Sequence, residues 1–259
     1  MAGNNHVSEV VDRIQTTCTR TYDVAALTLD AFRHTGEALR RQQLLFKQLY
    51  EVGNRSLLIV SVFGLFVGMI LVLYAGNTLE RFTQQRYVGL TGLAIIWEFG
   101  PVFTAFILAG RIGSAYAAEI GTMKVYDEVD ALKALGVRPT AYLATPRLLS
   151  CLVMLPVLVC FADFWALLGG AGMAWFYVHV TPGQFFHLFF TNMKFHELAR
   201  SMIKAFVFGG IIAITGCYHG FQTTGGAEGV GRRTTLSVVH SLLAILVADY
   251  FISKILLAL

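Results

Sequence analysis

Residues Ala109 to Arg147 read AGRIGSAYAAEIGTMKVYDEVDALKALGVRPTAYLATPR. This polar, charged stretch interrupts a chain that is otherwise oily, and the runs on either side of it are long enough to cross a bilayer. Within it Val125, Val129, Leu132 and Leu135 recur at helical spacing, with Lys124, Asp127, Glu128, Asp130 and Lys133 between them. That is the pattern of a short amphipathic helix. It is expected to lie at the membrane surface and to offer its charged face to a soluble partner.

Working outward, Ser56–Ala75 (SLLIVSVFGLFVGMILVLYA) carries no charge and reads as the first span. Its Gly64 and Gly68 form a GxxxG pair that permits close helix approach. The second span, 88–110, holds Glu98 near its middle and runs into a stripe of small residues, Ala105, Ala109, Gly113 and Ala117. Beyond the charged stretch come spans at 148–178 with Pro156 and Asp163, 202–218 with Lys204, and 238–257 with Asp249. Charged residues make up 14% of the chain, against about 25% in soluble domains. The fold class is therefore an all-α integral membrane protein, with residues 56–259 as one five-span domain.

Residues 1–55 are expected to be a cytoplasmic or interfacial region. Between Tyr22 and Tyr50, Ala25, Leu29, Phe32, Leu39 and Phe46 form a stripe, and Arg33, Arg40, Arg41 and Lys47 fall off it. This suits a basic amphipathic helix lying in the headgroup layer. Segments 1–55, 110–147 and 219–237 carry seven, five and two Lys or Arg, whereas 76–87 and 179–200 carry two each. The positive-inside rule then puts the N-terminus in the cytoplasm and the C-terminus outside. The net charge of +4 is explained by this bias and calls for no nucleic acid. Cys151, Cys160 and Cys217 sit in apolar runs and read as small buried hydrophobes. Gly220–Thr235 (GFQTTGGAEGVGRRTT) reads as a glycine-rich loop without the spacing of a nucleotide cradle.

No Ser/His/Asp or Cys/His set stands at useful spacing, so no catalytic residue and no metal is expected. Glu98 is the sharpest signal, because a carboxylate at mid-membrane costs at least ~2.5 kcal/mol and demands a partner. Lys204 and Arg111 are the candidates. Leu71, Tyr74, Leu79, Phe82, Trp97 and Phe99 are candidate cavity residues around it. An ion-driven transporter using Glu98 and Asp163 is the alternative, weakened by the absence of a visible inverted repeat. A lipid-modifying enzyme is a third, weakened by the missing nucleophile.

Four segments together resemble the MlaE/YrbE-type permeases of lipid-transporting ABC systems: Trp97–Met123, Asp127–Arg147, Gly225–Thr235 and Gln48–Val60. The resemblance covers about residues 45–257. It implies a homodimeric five-span permease in the bacterial inner membrane, with two cytoplasmic ATPase subunits holding ATP and Mg. It further implies a periplasmic MCE-domain hexamer, in some systems a STAS-domain subunit, and phospholipid as cargo, in the service of outer-membrane lipid asymmetry. Residues 119–136 would be the ATPase-coupling segment, with Glu119, Lys124, Asp127, Glu128, Asp130 and Lys133 as its charged contacts. Glu98 and Lys204 would match the family's cavity carboxylate and lysine. Trp97 departs from the arginine of many relatives.

Overall fold

The computed structural model of the protein describes residues 22–31, 33–36, 42–82 and 84–258. A first helical segment, α1, covers 22–31. Five long apolar helices follow: α2 (Gln42–Arg81), α3 (Tyr87–Val125), α5 (Thr140–Phe176), α7 (Phe195–Phe221) and α8 (Gly226–Ala258). Between them lie two short helices, α4 (Glu128–Ala134) and α6 (Pro182–Asn192). At ~1.5 Å per residue each long helix exceeds the ~30 Å hydrocarbon core, so the chain is a multi-pass membrane protein.

Successive long helices run in opposite directions, and contact follows small residues. Gly64 and Gly68 of α2 press on Ala162 and Ala166 of α5, and Gly169 of α5 returns the contact against Leu65. A side chain at Gly68 would collide with the Ala166 carbonyl. The GxxxG pair thus joins α2 and α5 in parallel. The Ala105, Ala109, Gly113 and Ala117 stripe of α3 is wholly buried. Gly216 of α7 packs on Gly113 and Tyr116, and Ser237 Oγ of α8 donates to the Gly113 carbonyl at 3.2 Å. In its most apolar stretch α3 is 56% buried and α8 only 17%, so α3 is central and α8 peripheral.

Several expectations need correction. The boundary drawn at residue 55 falls inside α2, which is continuous from Gln42. Gly220–Thr235 is mostly helical and not a loop: α8 starts at Gly226, and left-handed glycines occur only at its entry, Gly225 and Gly226 at φ 87° and 69°. The outer connection 179–200 contains α6, because Phe185 and Phe189 lie one turn apart and both bury. A reciprocal Thr181–Gln184 capping box starts that helix. Pro156 leaves α5 unbroken. Cys151 and Cys217 are buried, but Cys160 faces outward. Of the expected N-terminal helix, Phe32, Leu39, Arg40 and Arg41 lie outside the described residues, as does Cys18. The segment α1 packs on its own protein. Thr140 Oγ1 donates to Asp30, Thr145 Oγ1 donates to the Ala31 carbonyl at 3.3 Å, and Arg138 meets His34 at 2.9 Å.

Candidate functional site: an ion-paired lysine and an apolar groove

The site is built on α3 where the helix loosens. Ile95–Phe99 forms a π turn just ahead of Pro101. Proline has no N–H for the carbonyl four residues back, which belongs to Trp97. That carbonyl accepts instead from Lys204 Nζ at 3.1 Å. The same ammonium donates to Glu98 Oε2 at 2.6 Å and lies 2.9 Å from Asp249 Oδ1, as an ion pair short of hydrogen-bond alignment. Ser253 Oγ, one turn along α8 from Asp249, donates to Glu98 Oε1 at 3.1 Å. Three helices are thereby tied at one point: α3 by Glu98, α7 by Lys204 and α8 by Asp249.

Exposure is unequal across this cluster. The Lys204 side chain is 3% exposed, Asp249 19% and Glu98 46%. The cation is enclosed, and one carboxylate opens outward. Of the two partners expected for Glu98, Lys204 is the one found. Arg111 turns to α2, bonding Ser56 Oγ and reaching the Glu51 carbonyl at 3.4 Å. Asp249 and Ser253 were not foreseen as members, although their i, i+4 spacing puts them on one helix face.

Beside this cluster, α2 and α3 enclose an apolar groove of about 590 Å³ at the Arg81 end of α2. Leu71, Tyr74 and Leu79 line it, joined by Leu90 and Ala94 of α3. Ala94 lies one turn from Glu98 on the same partly exposed face. The other cavity candidates do not line it. Phe82 is exposed at the end of α2, Trp97 is 41% exposed, and Phe99 stacks on Phe103 at 5.6 Å. Asp163 is buried in α5, with neither carboxylate oxygen hydrogen-bonded among the described residues. It is pressed against Gly100, where a Cβ would strike it.

At the opposite end of α3 the charged stretch divides in two. The helix stops at Val125, Asp127 takes a left-handed conformation at φ 58°, and α4 begins at Glu128. A Schellman closure ends α4, with Gly136 N–H donating to Lys133 O and Val137 N–H to Leu132 O, both at 2.9 Å. Val129 is buried and Leu132 packs on the core, but Leu135, at the helix cap, is 78% exposed and lies off the buried stripe. Asp130 accepts from Lys124 and Lys133, each at 2.7 Å, and these bonds hold its carboxyl down to about 2. Asp127 and Glu128 are exposed and have no such partner among the described residues. Glu119 lies apart from that face: its Oε2 accepts from Arg147 at 2.7 Å, tying α3 to α5.

Residues 45–255 match the family model for Permease MlaE. The chain belongs to the MlaE permease family. It is 36% identical over 228 residues to a probable ABC transporter permease protein of Synechocystis sp., covering 88% of this chain and 87% of that one. It is 32% identical over 214 residues to the intermembrane phospholipid transport system permease protein MlaE of Haemophilus influenzae, covering 82% of each. It is 35% identical over 209 residues to the protein trigalactosyldiacylglycerol 1, chloroplastic, of Arabidopsis thaliana, covering 80% of this chain and 60% of that one. As a MlaE-family ABC transporter permease, the chain is the membrane part of a complex whose ATPase activity lies in a partner subunit.

Proposed function

We propose that this permease moves phospholipid between the inner membrane and a periplasmic MCE-protein carrier, driven by ATP hydrolysis in a separate subunit. The observation that carries the reading is that one helix, α3, borders the apolar groove and carries Glu98 at one end, and leads into the exposed charged turn before α4 at the other. Force applied to α4 reaches the lipid site through one two-residue turn and the single helix α3. The groove suits acyl chain, and Glu98 and Lys204 would meet the polar headgroup. Asp127 and Glu128 are the carboxylates free to engage an ATPase, while Lys124, Asp130 and Lys133 hold α4 in shape and Glu119 ties α3 to α5. The Lys and Arg bias supports a cytoplasmic N-terminus and a periplasmic C-terminus.

The reading includes two permease copies over two ATPase subunits, with an MCE hexamer outside and, where present, a STAS-domain subunit. The weakly buried α8 supports the pairing. Leu243, Leu246, Val247, Tyr250 and Phe251 stand exposed on it, beside the open side of the Glu98 cluster. A second copy there would close the cavity. The ion-driven alternative gains nothing from the geometry, since no hydrogen bond among the described residues joins Asp163 to Glu98.

The test is ATP-driven lipid transfer from proteoliposomes carrying the complete complex, with Asp127→Asn and Glu128→Lys combined in the permease. The variant should insert and assemble normally and lose at least ~90% of transfer, as expected when a charge meeting a partner is reversed. Transfer at the normal rate would refute the coupling role.

A further inference from the structure

The geometry points to a cargo headgroup that carries an ammonium, such as phosphatidylethanolamine, in preference to an anionic headgroup such as phosphatidylglycerol. This inference rests on the transport reading above and adds the headgroup class to it.

A lysine ammonium has three N–H donors and no acceptor. In Lys204 these face Glu98 Oε2, Asp249 Oδ1 and the Trp97 carbonyl, at 2.6, 2.9 and 3.1 Å. Two N–H groups are hydrogen-bonded, the third is turned to the Asp249 carboxylate as an ion pair, and the side chain is 3% exposed, so a phosphate has no open approach to the ammonium. The outward-facing part of the cluster is the half-exposed carboxylate of Glu98, whose Oε1 receives a single bond from Ser253. An ionised carboxylate is acceptor-only, with room for more than one donor at each oxygen. The residue before it in sequence is Trp97, an exposed ring with no charge. Arg111, the nearest arginine along α3, is committed to α2 through Ser56 and Glu51.

A headgroup arriving along the groove from Ala94 therefore meets an acceptor and no free cation. A primary ammonium supplies the complementary donors, and a charge-assisted bond of this kind is worth roughly tenfold in affinity. A phosphoglycerol headgroup offers only hydroxyl donors and brings a phosphate charge toward Glu98 with no amine to balance it.

The full-length chain, purified in detergent, would be exchanged with an equimolar mixture of dioleoyl phosphatidylethanolamine and dioleoyl phosphatidylglycerol. Retained lipid would be counted by native mass spectrometry. The wild type should retain the ethanolamine lipid by roughly tenfold. Glu98→Gln should bring the ratio close to one. Trp97→Arg, which places a cation at an already exposed position, should reverse the preference, a gain that a misfolded protein cannot show. Equal retention by the wild type, an excess of phosphatidylglycerol, or a Trp97→Arg protein that keeps the ethanolamine preference would each overturn the headgroup inference while leaving transport intact. Retention of neither lipid by the wild type would overturn the transport reading itself, and the inference with it.

Discussion

Replacing Lys204 by methionine tests whether the cation is the hub of the three-helix cluster. The side chain keeps its length and apolar stem and loses only the ammonium. What remains is Asp249, 19% exposed, and Glu98, 46% exposed, facing each other without a counter-charge. Breaking a buried pair from one side costs about 3–5 kcal/mol. Because Glu98 is only half-enclosed by the protein, the lower end applies, about 3 kcal/mol. Glu98→Gln is milder. Lys204 keeps Asp249 and the Trp97 carbonyl, and the new amide still accepts from Ser253, so the expected loss is about 1 kcal/mol. At ~2–4 °C per kcal/mol for a chain of this size, the melting temperature should fall by about 6–12 °C for Lys204→Met and about 2–4 °C for Glu98→Gln. Tryptophan fluorescence during thermal unfolding in detergent reads both. Neutralising all three groups together, as Lys204→Met, Glu98→Gln and Asp249→Asn, should recover part of the single-variant loss, since no unpaired charge remains. A Glu98→Gln protein that melts as low as Lys204→Met, or a triple variant lower than both, would refute this account.

Two further outcomes follow from the packing and the surface charge. Gly68→Leu places a side chain into the Ala166 carbonyl and should cost more than ~2 kcal/mol and abolish a protease-resistant fold, whereas Gly172→Ala, with open space around it, should be neutral or stabilising by up to ~1 kcal/mol. At α4, the Asp130 carboxyl titrates at about 2 rather than its ordinary 3.8. A depressed carboxylate contributes order that is complete above its unfolded value and is lost as pH falls through the folded one. The hydrogen-exchange protection of α4, taken relative to the free-peptide rate at each pH, should therefore be unchanged from neutral pH down to pH 4 and should fall between about pH 4 and 2.

Apolar length alone made the five spans legible, and the chance of pairing through Gly64 and Gly68 was visible too. Which helix they meet was not, because the α2–α5 contact joins residues about a hundred positions apart through backbone carbonyls that carry no sequence signature. Glycine content misled at 220–235: several glycines suggested a loop, but the helix needs unusual dihedrals only at Gly225 and Gly226 and tolerates the rest. In the candidate site, Glu98 and Lys204 stood out as charges in oil. Asp249 stood out less, lying nearer the end of its span, and one sequence does not reveal that α8 returns antiparallel beside α7. Among the charged residues of the stretch 119–136, periodicity could not separate Glu119, which faces Arg147, from Asp127 and Glu128, which are exposed.

The π turns make the remaining logic physical. The described residues contain three, at Ile95–Phe99, Ala109–Gly113 and Thr140–Ala144, and each coincides with a cation inside the bundle. Lys204 bonds the Trp97 carbonyl in the first, Arg111 belongs to the second, and Arg147 bonds the Leu143 carbonyl of the third at 2.9 Å. A π turn disturbs the i to i−4 ladder, and a carbonyl without a donor is costly where no water can replace it. A buried cation has the opposite need, for acceptors on every side. At the first and third turns the two needs meet, since the helix spares an oxygen and the cation takes it along with its carboxylate, whereas Arg111 at the second draws its acceptors, Ser56 Oγ and the Glu51 carbonyl, from α2. Pro101 withholds the N–H that the Trp97 carbonyl would otherwise receive, so this proline determines where α3 can be gripped by Lys204. Charge enters this membrane domain where the backbone has an oxygen to offer, and that is why the Glu98 cluster sits at the π turn rather than a turn above or below it.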